Sequence, residues 1–311
     1  MAANSTRAIL FALGANAGIA VTKFAAAAYT GSGAMLAEAI HSLADTGNQL
    51  LLLLGLKRAR KAATEEHPLG YQRVSYFYGM MVALLLFFVG GLFSIYEGWH
   101  RITAAEPLRS PVVALVVLAV AIVLETISLW GALREIRKVQ GRRSFWRWFR
   151  ETRQSELMVV AGEDIAALGG LVIAFFAVLL AMVTGNPLFD ALGSIAVGVL
   201  LVLVAIAIII EIKGMIVGES AEPELRAAIV AHVTARPEVH RVIRLITLQW
   251  GDSVIVAVRA EMSPVASADE LVAAVNRVEA SLQAAFPQAV WVFFEPDKEP
   301  DGPPAAVPPA T

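Results

Sequence analysis

Cysteine is absent from all 311 residues, which excludes disulfides, thiolate metal sites and thiol nucleophiles. Charge is scarce as well. Asp, Glu, Lys and Arg make up 17% of the chain, where soluble domains carry about 25%. A soluble, highly solvated surface over the whole length is therefore excluded. What fills the gap is apolar: 57% of residues are hydrophobic and the mean hydropathy is +0.65. The net charge of −2 says little about partners, because the charges are segregated along the chain. Any bound metal ion must be held by His, Asp, Glu or backbone oxygen.

A helix needs about 20 apolar residues to cross a bilayer. Six segments qualify, at 8–29, 33–56, 76–99, 111–134, 157–183 and 188–212. The first follows Arg7 but is too long for a signal-peptide core and lacks a small-residue cleavage site, so it reads as a span. Connections after the first, third and fifth spans are short: Thr30–Ser32, a stretch around Pro107, and Thr184–Pro187. They offer only Arg101 and Arg109. The connection after the second carries Lys57, Arg58, Arg60, Lys61 and Arg73, and the one after the fourth is richer still in arginine. Excess Lys and Arg marks the cytoplasmic side, so both termini are expected there. A bacterial inner membrane is the expected setting.

Beyond Lys213 the pattern changes. Residues 222–235 and 267–286 have helical periodicity, while 241–250, 253–262 and 289–295 alternate as strands. Gly251-Asp252 suits a two-residue hairpin turn. The expected fold is thus a six-helix membrane domain (1–213), then a small cytoplasmic α+β domain of α-β-β-α-β order (214–297). The Pro- and Ala-rich tail at 298–311 reads as disordered.

Charges inside a span cost about 2.5–3.5 kcal/mol each on insertion scales. The second span carries Glu38, His41, Asp45 and Asn48 within one narrow helical arc, and the fifth carries Glu163 and Asp164. At 1.5 Å per residue, Asp45 lies about 16 Å below the outer surface. Asp164 rises about 10 Å from the cytoplasmic side of a core about 30 Å thick, so the two are similar in depth. His41 and Asp45, four residues apart, can address one ion, and Asp164 can complete the group. Imidazole with carboxylate suits zinc and its neighbours, whereas an all-oxygen cage suits magnesium or calcium. A hydrogen-bonded polar patch between helices is the plainer alternative. Against it stand three acids with one His and no intramembrane Arg. Lys23 reads as snorkelling or pairing with Glu38 or Glu125; Glu125 and Asp190 read as packing or water-facing groups. Arg142–Arg150 interleaves cations with Phe145, Trp146, Trp148 and Phe149, and beside a span it reads as an anchor on anionic lipid rather than a nucleic-acid site.

The run Gly31–Asp45 (GSGAMLAEAIHSLAD) resembles the second-helix signature of the cation diffusion facilitators. His67–Arg73 (HPLGYQR) is similar to their motif at the start of helix 3, and Gly218–Ala221 (GESA) to the junction with their cytoplasmic domain. The likeness covers nearly the whole chain. It implies a homodimeric metal/proton antiporter with its main site on helices 2 and 5, and with no enzymatic activity or bound cofactor. The cargo it implies is a divalent cation, zinc first, with manganese, iron or cobalt as the alternative. His41, Asp45 and Asp164 carry over as ligands. Position 160, a His in many zinc exporters of the family, is Val160, and Glu163 beside Asp164 resembles a divergent branch. The fourth ligand is then Glu163, Glu38 or water. A weak second site would use His67 with Glu65 and Glu66, although Tyr71 stands at a further ligand position. Family likeness also implies an Arg73–Glu219 ion pair. With the run Phe293-Phe294-Glu295-Pro296 lacking the His that usually precedes the acidic-Pro pair, His232 and His240 read as surface residues.

The implied mechanism is alternating access, in which protons and metal displace each other from shared ligands. An unperturbed imidazole, with a pKa of about 6.5, titrates in the working range. A metal-regulated scaffold without transport and an intramembrane carboxylate enzyme are the rival readings.

Overall fold

The computed structural model describes residues 2–30, 33–104 and 111–298; within it, the side chains of 2–8, 11, 12, 15, 26, 27, 29, 30, 33–41 and 104 lie outside the description. Six long helices are seen among the described residues: α1 (Ala2–Thr30), α2 (Gly33–Ala59), a continuous third helix, α5 (Pro111–Gln140), α7 (Ser155–Thr184) and α8 (Leu188–Val217). The third consists of α3 (Val74–Leu85), a π-helical stretch (Leu86–Leu92) and α4 (Phe93–Ala104). Four of the six meet the length and hydropathy expected of a membrane span, and the protein is an integral membrane protein. α2 and α5 overrun the expected spans by several residues, ending in turns that carry Lys57 and Arg58, and Arg137 and Lys138.

Caps explain where several of them stop. Gly185, at φ 68°, ends α7 in the left-handed region that favours glycine. Asn186 then accepts the Leu188 N–H at 3.0 Å and starts α8. At the end of α5, Arg143 is buried and donates to the carbonyls of Val139 and Gln140 at 3.1 Å, matching a cation to the negative helix end. Arg73 does the same for α8, donating to Met215 O at 2.9 Å and to Ile216 O. Glu219, its expected partner, belongs to the second compact unit; the chain divides into Met1–Ile216 and Val217–Thr311.

Two features escaped the sequence pattern. The π-helical stretch coincides with Gly90-Gly91, where Ser94 Oγ takes the Gly90 carbonyl at 2.6 Å and competes with the α-helical ladder. The basic aromatic loop contains a short helix, α6 (Phe145–Glu151), capped by Ser144 Oγ on the Arg147 N–H. The lipid-anchor expectation needs correcting for half of its aromatics. Trp148 is fully buried and Phe149 nearly so, packed in one cluster with Tyr76, Ile136, Leu157 and Ile212; Trp146 is 71% exposed. A seven-residue amphipathic turn has both an inward and an outward face, and aromatics on the two faces are not distinguishable by composition.

The second unit has the expected order α9 (Pro223–Thr234), β1 (Val239–Trp250), β2 (Ser253–Met262), α10 (Ala268–Ala285) and β3 (Ala289–Pro296). The sheet order is β1-β2-β3, with β1 antiparallel and β3 parallel to central β2. Trp250 pairs with Ser253 around Gly251 at φ 62°. Ile229, Val233, Val256, Val278 and Leu282 form its core. His232 is half-buried: its ring bonds Ser281 at 2.9 Å and packs edge-on against Phe286. His240 is exposed. The tail beyond Lys298 lies outside the described residues.

Candidate metal site

Four of the sequence-derived positions lie on facing turns of α2 and α7. Glu163 and Asp164 are both buried, 3% and 1% exposed, and Asn48 is buried at 3%. Asn48 Nδ2 donates to Glu163 Oε1 at 2.9 Å, and Gln49 Nε2 donates to Glu163 Oε2 at 2.7 Å. These bonds hold the turn after Asp45 level with Glu163 and Asp164. Gly162, next in the chain, lets α7 approach α8: a Cβ there would lie 2.7 Å from Ile208 Cδ1.

Neighbours on a helix point about 100° apart, so Glu163 and Asp164 address different partners. Glu163 faces α2. Asp164 faces α5, where Ser128 Oγ donates to Oδ2 at 3.3 Å. The amide oxygens Asn48 Oδ1 and Gln49 Oε1 are buried without a hydrogen-bond partner. Since the amide nitrogens are committed to Glu163, these oxygens remain as neutral acceptors beside the acids.

Asp45, half-buried, lines a cavity of about 190 Å³ together with Lys23, Ser42 and Glu125. The same cavity reaches Glu97, Arg101 and Asp190 near the opposite end of α4 and the start of α8. Glu125 and Asp190 were expected as packing or water-facing groups; they share this cavity with Asp45. Arg101 belongs to the last turns of α4 rather than a loop, and bonds Asp190 at 2.7 Å and Glu97 at 3.0 Å. A second recess of about 310 Å³, flanked by the π-helical stretch at Leu86, Val89 and Gly90, touches Asp45 and Asn48 from the other side. Lys23 does not snorkel. It is 5% exposed and donates to Ser42 Oγ at 2.9 Å.

Glu38 and His41 lie on α2, with His41 one turn before Asp45, but their side chains fall outside the described residues. Among the described residues no three His, Asp or Glu side chains close up as a metal cage. That holds for Asp45, Glu163 and Asp164 and also for the expected second site. Glu65, Glu66 and His67 are exposed, and the His67 ring stacks on Tyr71 at 4.4 Å.

Gln49, Ser42 and Ser128 were missed as site residues. The signal was available for Gln49, a second amide directly after Asn48 and ahead of five leucines. A serine in a span carries no comparable signal, because it bonds its own helix backbone as readily as a neighbour.

A profile of the cation efflux transmembrane domain matches residues 9–216. The chain belongs to the cation efflux (cation diffusion facilitator) family. Members of this family are transporters rather than enzymes. The human mitochondrial proton-coupled zinc antiporter SLC30A9 is 36% identical over 204 residues, covering 65% of this chain and 36% of that protein. Metal tolerance protein C4 of Arabidopsis thaliana is 31% identical over 227 residues, 71% of this chain and 49% of the relative. The cation-efflux pump FieF of Cronobacter sakazakii is 27% identical over 240 residues, 75% and 73% respectively. This chain thus spans little more than a third of the human protein's length and about half of the plant protein's.

Proposed function

We propose that this chain exports a divalent transition-metal ion, zinc foremost, in exchange for protons, by exposing one site between α2 and α7 alternately to the two sides of the membrane. What supports this reading most is an imbalance deep in the bundle. Among the described residues, Asp45, Glu125, Glu163 and Asp164 stand together with two unpartnered amide oxygens, against the single ammonium of Lys23. Each intramembrane charge costs about 2.5–3.5 kcal/mol, so an acceptor-rich, donor-poor cluster is adapted to receiving a cation. The relatives named as zinc antiporters and metal tolerance proteins point to the same class of cargo.

In this proposal His41, Asp45 and Asp164 bind the ion, and Asn48 and Gln49 offer neutral oxygens. Glu163 already accepts an amide on each of its two oxygens. It enters the coordination sphere only by releasing one of those bonds, so its first role is to tie α2 to α7. Protons and the ion compete for the same oxygens, and mass action couples their opposite flows. The alternation of basic connections puts both termini in the cytoplasm.

Residues 214–297 are proposed as a cytoplasmic dimerisation domain. The sheet face away from α9 and α10 exposes Ile246, Trp291 and Phe293, 48%, 37% and 54% exposed, bordered by Arg244, Arg259 and Glu295. Cations and an acid on one patch are self-complementary across a two-fold axis.

The test is transport by proteoliposomes carrying one zinc-sensing and one pH-sensing dye. The wild type should move zinc and protons in opposite directions, and Asp45→Ala and Asp164→Ala should each abolish both signals. Normal transport by both variants would sink the site assignment. Zinc binding without any flux in the wild type would favour a metal-regulated scaffold, the reading that the Glu163 tie by itself would also suit. Competition by manganese, iron and cobalt ranks the cargo, which affinity order alone does not.

A further inference from the structure

Lys23 is a buried ammonium with an unusual position. Among the described residues, Lys23 and Arg143 are the cations under 10% exposed, and Arg143 is occupied in capping the end of α5. Lys23 sits far from any helix end, in the eighth residue from the end of the 29-residue α1. Its Nζ donates to Ser42 Oγ at 2.9 Å, and Ser42 is itself buried, three residues before Asp45 on α2. Lys23, Ser42, Asp45 and Glu125 line one cavity.

Among the described residues, the charged groups around that cavity can each be placed. From α2 comes Asp45, from α5 Glu125, and behind them on α7 Glu163 and Asp164. At the far end stand Glu97 and Asp190, both already engaged by Arg101. Arg101 is therefore committed to its own two acids. The only cation left to balance the Asp45–Glu125 end among the described residues is Lys23.

Resting on the transport reading above, we infer that Lys23 is a tethered counter-cation of the metal site. In the metal-free protein its ammonium offsets the carboxylates around Asp45; an arriving dication takes those oxygens and the ammonium withdraws to Ser42. A four-carbon stem with rotatable bonds allows the head to shift while its base stays in α1. The device keeps the empty site from being an uncompensated cluster of buried acids. It also sets an upper limit on metal affinity, because a returning ammonium competes with the ion and hastens its release. Lys23 touches neither the cargo nor a proton in this scheme, and it acts through its fixed charge on the groups that do.

The experiment measures zinc binding by isothermal titration calorimetry and zinc flux in proteoliposomes, on the full chain, for wild type and three variants. Lys23→Met removes the charge at similar bulk. It should bind zinc at least tenfold more tightly and turn over more slowly, through slower release. Lys23→Arg keeps the charge and should stay within about threefold of wild type in both. Ser42→Ala removes the acceptor to which the ammonium withdraws when the ion arrives but leaves the ammonium, so it should bind zinc more weakly than wild type. A merely structural role predicts weaker binding for both Lys23→Met and Ser42→Ala, so opposite signs distinguish the two. If wild type binds zinc and Lys23→Met gains no affinity, or if Lys23→Met fails to fold and Ser42→Ala binds as wild type, the inference is overturned and the transport reading stands. If wild type binds no zinc, both fall together.

Discussion

The bond between Gln49 and Glu163 can be isolated energetically. At 2.7 Å, between two side chains that are 0% and 3% exposed, it is a short bond to a carboxyl group in a dry setting. In water-soluble interiors such bonds contribute about 1.5–3 kcal/mol. Side-chain bonds between membrane helices measure less, about 0.6 kcal/mol on average and at most about 1.7, because the unfolded chain in the membrane also finds partners. Glu163→Ala alone is a poor probe. It strands two amides whose oxygens already lack partners, but it also removes a buried charge, and the two effects oppose. A double-mutant cycle with Gln49→Ala cancels the burial terms and leaves the pair. The expected coupling is about 0.6–1.7 kcal/mol, the range of side-chain bonds between membrane helices. Reversible unfolding in mixed detergent micelles, followed by tryptophan fluorescence, provides the measurement. A coupling below about 0.3 kcal/mol, within the additivity error of independent sites, would refute the view that Glu163 ties α2 to α7.

Other perturbations separate close packing, burial and charge. Gly98→Ala should lower the melting temperature and expression, since the new Cβ would stand 2.7 Å from the Ala191 carbonyl oxygen and 2.9 Å from Ile195 N, both backbone atoms; overpacking of this kind costs about 1–3 kcal/mol. Gly18→Ala, which meets nothing within 4 Å, should instead be neutral or stabilising by up to about 1 kcal/mol. Trp148→Ala should destabilise by about 3–5 kcal/mol in the same unfolding assay, while Trp146→Ala, at a site 71% exposed, should be near neutral. In the second unit, burial pushes the Glu238 carboxyl up, but hydrogen bonds from backbone, Arg277 and Arg236 outweigh it and hold the group below the usual carboxylate range. Its stabilising effect is therefore complete above the unfolded value of about 4.3 and is lost as pH falls through the lowered folded value. Melting curves from about pH 6 to pH 3 should show a shallower acid decline for Glu238→Gln than for wild type.

Most of the architecture could be read before the coordinates because membrane and strand periodicities are strong signals. Runs of about 20 apolar residues have few alternatives, and the second unit alternates cleanly with its turn at Gly251. The candidate site was legible for a related reason: hydrocarbon makes every polar residue conspicuous, which singled out Asp45, Asn48, Glu163, Asp164 and Lys23. The destination of each polar group was not legible. Sequence spacing gives a side chain's angle on its own helix, but not which neighbour lies across from it. Thus the bond from Lys23 to Ser42 was not foreseen, and Arg101 was counted in a loop and bridges α4 to α8. Trp148 was expected at lipid and is in the core, because a short helix that folds back onto its bundle leaves no periodic trace in seven residues.

The adjacency of Glu163 and Asp164 explains how one turn of helix can serve two purposes. Placed three or four residues apart, the two acids would share a face, and their charges would add at one point. Placed next to each other they diverge by about 100°, so Glu163 is satisfied by hydrogen bonds from two amides of α2 while Asp164 meets one serine of α5 at a longer 3.3 Å. The acid with two short bonds is the better satisfied and the less available. The acid with one long bond retains acceptor capacity in a buried place, where unmet capacity is costly. On the proposed transport reading, that difference, more than the identity of either residue, makes Asp164 rather than its neighbour the partner for an ion arriving beside Asp45. It also means that any movement of α7 against α2 must first break the Glu163 bonds, which places the tie and the ligand on the same turn.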